Sequence, residues 1–255
     1  MNQSLKGKTA LVTGASRGIG RAIAERLAKD GATVALTYNA GKSDAEEAVA
    51  AIEKAGGIAF AIHANLVDPA AVPTLFERLD DELTRRNGSK ALDILVNNAG
   101  NAGWVGFKDA TPDSWDTLMA VYARAPFFII QAALGRLANG ASIINISSAA
   151  ATKPVTAAPI YSMAKAAINT LTQVVAAELG PRGITANAVA PGPTRTDANA
   201  DFRQNPEFVK AFESQTALGR FGEPSEIASV VSFLASAEGH WVTGQTIEAS
   251  GGYKL

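Results

Sequence analysis

A doubly wound α/β fold, with a seven-stranded parallel sheet and helices on both faces, is predicted by two features of the sequence. Short β-branched apolar runs alternate with Ala-rich stretches of helical period along the whole chain. These runs are apolar on both faces, the pattern of strands covered by helices on each side. Right-handed crossovers then lead to a doubly wound arrangement, with ligands bound beyond the carboxyl ends of the strands.

The first strand is expected over residues 9–12, then a helix over 18–30 and a strand over 33–37, a βαβ unit. Further strands are expected over 58–62, 94–96, 142–146, 184–189 and 245–248, with helical stretches between them. The polar, basic stretch from Arg85 to Lys90 reads as a solvated turn before the fourth strand. The segment from about Pro191 to Gly222 shows no regular pattern, and a loop that long in a compact domain usually serves as a lid or binding segment. No repeat or low-complexity linker divides the chain, so residues 1–255 form one domain with a substrate-loop segment at about 191–222.

Apolar residues make up 47% of the chain and charged residues 18%, a globular balance rather than that of a disordered chain. The formal net charge of −1 gives no global reason to expect nucleic acid or an anionic membrane as partner, so any anion site must be local. With no cysteine, disulfides, thiolate nucleophiles and Cys-based metal sites are excluded, and a reducing compartment is compatible. His63 and His240 lie far apart in sequence and read as structural residues, so no metal is expected. The short polar start from Met1 to Lys8 lacks the apolar core of a signal peptide, and every apolar run is punctuated well short of a membrane span. A soluble, cytoplasmic protein follows as the expectation.

The first strand leads into Thr13-Gly14-Ala15-Ser16-Arg17-Gly18-Ile19-Gly20. Glycines permit a tight turn and close backbone approach, while the free amides of the following helix offer hydrogen bonds and partial positive charge to a pyrophosphate. The strand-turn-helix context makes this a dinucleotide site rather than a packing turn, in a Rossmann-type fold.

The spacing Thr13-Gly14-x-x-x-Gly18-x-Gly20 resembles that of the short-chain dehydrogenase/reductase family in its compact form. Asn97-Asn98-Ala99-Gly100, Tyr161-Ser162-Met163-Ala164-Lys165, Pro191-Gly192 through Thr196, Gly222-Glu223-Pro224 and Thr243-Gly244-Gln245 with Gly251-Gly252 follow in the family's order, so the resemblance spans nearly the whole chain. It implies a cofactor held by Gly14, Ser16, Arg17, Gly18, Ile19 and Gly20 at the phosphates and by Asn65 and Leu66 at the adenine. Asn98, Ala99 and Gly100 would border the ribose and nicotinamide, and Pro191, Gly192, Thr194 and Thr196 would hold the carboxamide. It also implies a homotetramer. The apolar stretch from Ile168 to Leu179 and the C-terminal segment fit either subunit interfaces or packing within the chain.

Tyr161 and Lys165 lie four apart on a predicted helix and so on one face. A tyrosine titrates near 10, too high for efficient proton exchange at neutral pH, and a neighbouring ammonium together with a cationic nicotinamide lowers that value. The resemblance adds that Lys165 holds the nicotinamide ribose. Ser148 follows the strand over 142–146 and maps to the family's catalytic serine, positioning the substrate oxygen; Ser147 is the adjacent alternative.

Cofactor choice is read at the end of the second strand, where an acidic residue would bind the adenosine ribose of NAD. Tyr38-Asn39 stands there instead, with Arg17 nearby and Asn39, Lys42 or Ser43 as further ligands, so NADP is favoured and NADPH preferred over NADH. Phe202, Phe208, Phe212 and Trp104 either roof an apolar substrate pocket or pack on the core.

One position departs from the family. Its helix beneath the active site carries an asparagine that holds a relay water, and Tyr122 stands there in this chain. The expected function is an NADP-dependent interconversion of a small-molecule ketone and alcohol, with Tyr161 as general acid or base. The alternative is a nucleotide-binding relative with weak or lost turnover and a regulatory or scaffold role.

Overall fold

The computed structural model describes residues 3–100 and 103–255. The glycine turn joins β1 (Thr9–Val12) to α1 (Gly18–Lys29), followed by β2 (Thr33–Tyr38), α2 (Lys42–Lys54), β3 (Ile58–His63), α3 (Ala71–Asn87) and β4 (Leu92–Asn97). Then come α4 (Pro112–Met119), α5 (Ala125–Ala133), β5 (Leu137–Ile146), α6 (Pro159–Leu179), β6 (Thr185–Pro191), α7 (Pro206–Glu213), α8 (Pro224–Ala235) and β7 (Thr246–Ala249). The seven strands form one parallel sheet in the order β3-β2-β1-β4-β5-β6-β7, the doubly wound order extended by one strand.

Each central strand feeds two cores. β1 sends Ala10 and Val12 to one face, where Ile23 and Leu27 of α1, Ile52 of α2 and Val231 and Leu234 of α8 meet them. It sends Leu11 to the other, against Leu75, Leu79 and Leu83 of α3, Ile129 of α5 and Val175 and Leu179 of α6. The apolar face of residues 168–179 is thus largely used within the chain, leaving Val174 exposed. Among the described residues no helix is long and apolar enough to cross a membrane.

Three regions differ from the sequence reading. Arg85 and Arg86 belong to the last turn of α3, where both pair with Glu82, and the turn begins only at Gly88, a left-handed helix cap. Ion pairs three and four residues apart, with basic side chains at the helix C-terminus, extend the helix through a stretch that looked like loop. β5 starts five residues early because Leu137 pairs with Leu92, a tertiary contact that the weak strand formers between them do not announce. The segment 191–222 carries two 3₁₀ turns, Asp197–Asn199 and Phe202–Gln204, and then α7. Asn205 caps α7 by accepting from the Glu207 and Phe208 amides, with Pro206 at its first position.

Asp80, buried on α3, ties this layer together: it accepts two bonds from Arg136, at 2.7 and 2.8 Å, and one from Lys90 at 3.3 Å. The Arg136 bond, with help from Lys90, holds its carboxyl below the ordinary carboxylate range against the opposing effect of burial. A depressed carboxylate stabilises the fold above its unfolded pKa, and that contribution is lost as pH falls through the native value. Asp80→Ala is therefore expected to destabilise the protein by about 1–3 kcal/mol at pH 7. In thermal melts the gap between variant and parent should begin to narrow below about pH 4, where the unfolded carboxylate takes up its proton, and close only as pH falls through the lower native value.

Candidate active site

The site begins where the turns after β1 and β4 meet. Gly14 and Gly18 have positive φ values of 62° and 57°. A Cβ on Gly14 would lie 2.6 Å from the Ala99 Cα, and one on Gly20 would lie 2.4 Å from both the Asn98 Nδ2 and the Gly14 carbonyl oxygen. Polar bonds fix this contact: Thr13 Oγ1 accepts from the amides of Asn98 and Ala99, each at 3.0 Å. Asn98 Nδ2 donates to the carbonyls of Thr13 and Gly14, each at 2.9 Å, so its amide braces the turn as well as bordering the cleft. Gly14 donates its amide to Thr37 Oγ1 of β2. Arg17 stands at the N-cap of α1 without a side-chain cap bond, which leaves the helix start open to an anion.

From this turn a continuous cleft of about 1050 Å³ runs across the carboxyl ends of the strands. Every cofactor and catalytic residue expected from sequence lines it: Gly14, Ser16, Arg17, Gly18, Ile19, Gly20, Tyr38, Asn39, Asn65, Leu66, Asn98, Ala99, Gly100, Ser148, Tyr161, Lys165, Pro191, Gly192, Thr194 and Thr196. Lys42 and Ser43 do not; Lys42 is 72% exposed on α2 beside Glu46, and Ala40 and Gly41 take the wall instead. His63 and Tyr38 make an edge-on ring contact, centroids 5.5 Å apart. A cradle that rejects any Cβ, an open helix start and a long cleft together fit a dinucleotide.

At the other end the β5 strand delivers Ser147 and Ser148 side by side, and their bonds separate them. The Ser147 hydroxyl donates to Asn169 Oδ1 at 2.6 Å, a structural role on α6. Ser148 Oγ instead accepts from the Ala150 amide at 3.1 Å and lies near enough to the Tyr161 phenol to lower its pKa. Tyr161 and Lys165 share one face of α6, with Lys165 Nζ 5.7 Å from the Tyr161 ring centre and donating to the Ile146 carbonyl at 2.6 Å. In the chain alone, burial pushes the Tyr161 phenol above its ordinary value, partly opposed by Ser148. Burial of Lys165 pushes its ammonium down to about 7.

Thr196 also differs in detail. Its amide donates to Asn199 Oδ1 at 3.2 Å, and its side chain lies 3.6 Å from where a Gly18 Cβ would stand, so the lid segment touches the phosphate turn. Beyond it the aromatics form a run along one wall. Trp104 meets Phe202 at 6.2 Å, Phe202 stacks on Phe208 at 5.6 Å, Phe208 meets Phe212 at 4.6 Å, and Phe212 stacks on Tyr253 at 5.9 Å. Both alternatives for these residues hold at once, since Phe212 backs onto buried Phe221 while the others line the cleft. Tyr253 was not foreseen; positive-φ Gly251 and Gly252 turn the C-terminus back toward the wall, and that pair was the available signal.

The family model described as enoyl-(acyl carrier protein) reductase, a model of the short-chain dehydrogenase/reductases, matches residues 14–254. The chain belongs to the short-chain dehydrogenase/reductase family. Among solved structures, LanV, an angucycline C-6 ketoreductase with bound NADP, superposes with a TM-score of 0.95 at 46% identity, covering 99% of this chain and 97% of its own. LugOII, described as a promiscuous reductase catalysing keto-reduction at C1 in lugdunomycin biosynthesis, has a TM-score of 0.95 at 44% identity, with 99% and 100% covered. A hydroxynaphthalene reductase-like protein of Metarhizium majus is 39% identical over 262 residues, covering 98% of this chain and 96% of the relative. As a family member the protein is an oxidoreductase.

A methyl group at Gly20 would collide with Asn98 Nδ2 and the Gly14 carbonyl and so disturb the cradle directly. Gly20→Ala is expected to weaken nicotinamide dinucleotide binding at least about tenfold in a fluorescence titration, with the far-ultraviolet circular dichroism of the parent retained.

Proposed function

We propose that the protein is an NADPH-dependent ketone reductase in which Tyr161 protonates the carbonyl oxygen. The observation that carries this reading is the convergence of Ser148, Tyr161 and Lys165 at one end of a cleft whose other end is the glycine turn. Bound NADPH would supply the hydride, and LanV holding NADP in so similar a fold supports that cofactor.

The chain's own groups divide the remaining work. Arg17 offers a cation to a 2′-phosphate, and the end of β2 presents Tyr38 and Asn39 with no carboxylate to repel one. Ser148, on the cleft wall beside the phenol, can hold the substrate oxygen next to it. Tyr161 then gives its proton to the oxygen as negative charge develops there. A phenol pushed upward by burial stays protonated through neutral pH, which suits an acid and favours the direction of reduction. Lys165 binds the ribose side and supplies charge near the phenol. The convergence of Ser148, Tyr161 and Lys165 on one cleft weighs against a scaffold role with lost turnover.

A planar aromatic ketone fits the substrate end best. Trp104, Phe202 and Phe208 present ring faces and edges along the cleft, and fused aromatic groups stack well on such a wall. The hydroxynaphthalene reductase-like relative supports the same class. We further place the protein in the cytoplasm as a homotetramer, with exposed Phe127, Phe128, Met163 and Leu255 as apolar surface for subunit contact.

Tyr161→Phe is expected to lower kcat by about 10²- to 10⁴-fold with the NADPH dissociation constant little changed; retention of most of kcat would move the proton transfer to another group. Arg17→Ala should raise KM for NADPH while leaving that for NADH nearly constant, since only the former carries the 2′-phosphate. Steady-state rates with both cofactors against naphthalenone-type and short aliphatic ketones check both the cofactor and the substrate class.

A further inference from the structure

The residue that departs from the family pattern occupies the centre of the site. Tyr122 sits in a five-residue π-helical turn, Ala120–Arg124, between α4 and α5. Pro126 has no N–H to give to the carbonyl four residues back, so the helical ladder slips there to the wider pattern. The turn carries the Tyr122 ring inward until it is only 4% exposed. Its ring centre is 4.7 Å from Lys165 Nζ and 5.1 Å from the Tyr161 ring centre, at 82° to it. On its far side the ring rests on Gly100: a Cβ there would lie 2.2 Å from Tyr122 Cε1 and 2.9 Å from Cζ.

We propose that Tyr122 is a positioning residue for the proton-transfer pair, its aromatic face seating the Lys165 ammonium and its ring bracing Tyr161. This rests on the reading of Tyr161 and Lys165 as that pair. The groups facing Lys165 are Tyr161 from its own helix, the Ile146 carbonyl from β5 and Tyr122 from the π turn, and no carboxylate pairs with it among the described residues. A buried ammonium with three donors and one carbonyl acceptor needs another source of negative potential, and an aromatic face provides it. Burial and the ring act in opposite directions: desolvation drives the ammonium down to about 7, and the ring face retains the charged form. Where an asparagine would hold water beneath the lysine, the phenol ring fills the space with Leu118, Ile160 and Ala164, a dry cluster. Gly100 thereby acquires a second duty, since only glycine leaves room for the ring.

The test is the titration of Lys165 itself, followed by NMR of 15N-labelled lysine amino groups in the intact protein, alongside the alkaline limb of the kcat profile. Tyr122→Phe keeps the ring and is expected to hold the Lys165 midpoint where the parent has it. Tyr122→Leu removes the aromatic face without admitting an amide, and should lower the midpoint by about half a pH unit or more, carrying the alkaline limb with it. Gly100→Ala, which displaces the ring without altering it, should move the midpoint in the same direction as Tyr122→Leu. A Leu variant whose midpoint stays at the parent's value would overturn the proposal, as would a Phe variant that shifts as far as Leu, which would assign the work to the hydroxyl. Because the titration needs no substrate, it stands or falls separately from the ketone reductase reading.

Discussion

The closeness of two turns governs the site. Gly14 after β1 and Ala99 after β4 approach so nearly that even a methyl group on Gly14 would intrude, and Thr13 and Asn98 bond the two turns together. β1 and β4 are neighbours in the sheet although five elements separate them in sequence, so the chain parts to opposite sides at this point and a cleft opens above them. Strand register carries the same level sideways: Val12 pairs with Val96, Asn97 with Asn145, and Ile146 with Val189. Ser148 and Pro191 therefore emerge beside the glycine turn without any loop having to find its own position.

Electrostatics at the far end follow from dryness. Lys165 is buried with a single carbonyl acceptor and two aromatic rings for company, so its charge is costly and its ammonium is weakened. The same dryness raises the phenol of Tyr161, which keeps it in the form that donates a proton. A site that held its lysine firmly charged in water would make a better base and a poorer acid. The aromatic wall from Trp104 to Tyr253 extends this apolar environment to the place where a substrate would lie, and the Lys153–Glu248 pair, with Lys153 also donating to the Tyr253 carbonyl, fastens the C-terminal end of that wall.

Most of this architecture was legible because strands buried on both faces leave continuous apolar runs, and because a phosphate cradle demands glycines at fixed spacing in strand-turn-helix context. The residues that were harder to read depend on tertiary contact. Leu137 becomes strand only by pairing with Leu92, and Arg85 and Arg86 become helix through Glu82. Asn98 is expected from sequence to border the cofactor; it borders the cleft, and the further role of its amide in bracing the glycine turn depends on the approach of the two turns. Tyr122 could be identified as a departure but not placed, because its position depends on the π turn and on the absence of a side chain at Gly100. For Lys165, spacing reveals that a lysine is near Tyr161, and only packing reveals that this lysine is itself desolvated.

Hydride transfer is the central claim, and tracing the hydrogen is its most direct test. The protein would be mixed with NADPH deuterated at nicotinamide C4, on the transferred face, together with a planar aromatic ketone, and the product alcohol examined by mass spectrometry and proton NMR. The account predicts one deuterium on the carbinol carbon, none on the hydroxyl after exchange, and a slower turnover than with unlabelled cofactor when chemistry limits the rate. Oxidation of the cofactor with the carbinol carbon carrying only protium, or binding of the cofactor with no alcohol formed from any ketone in such a series, would contradict it.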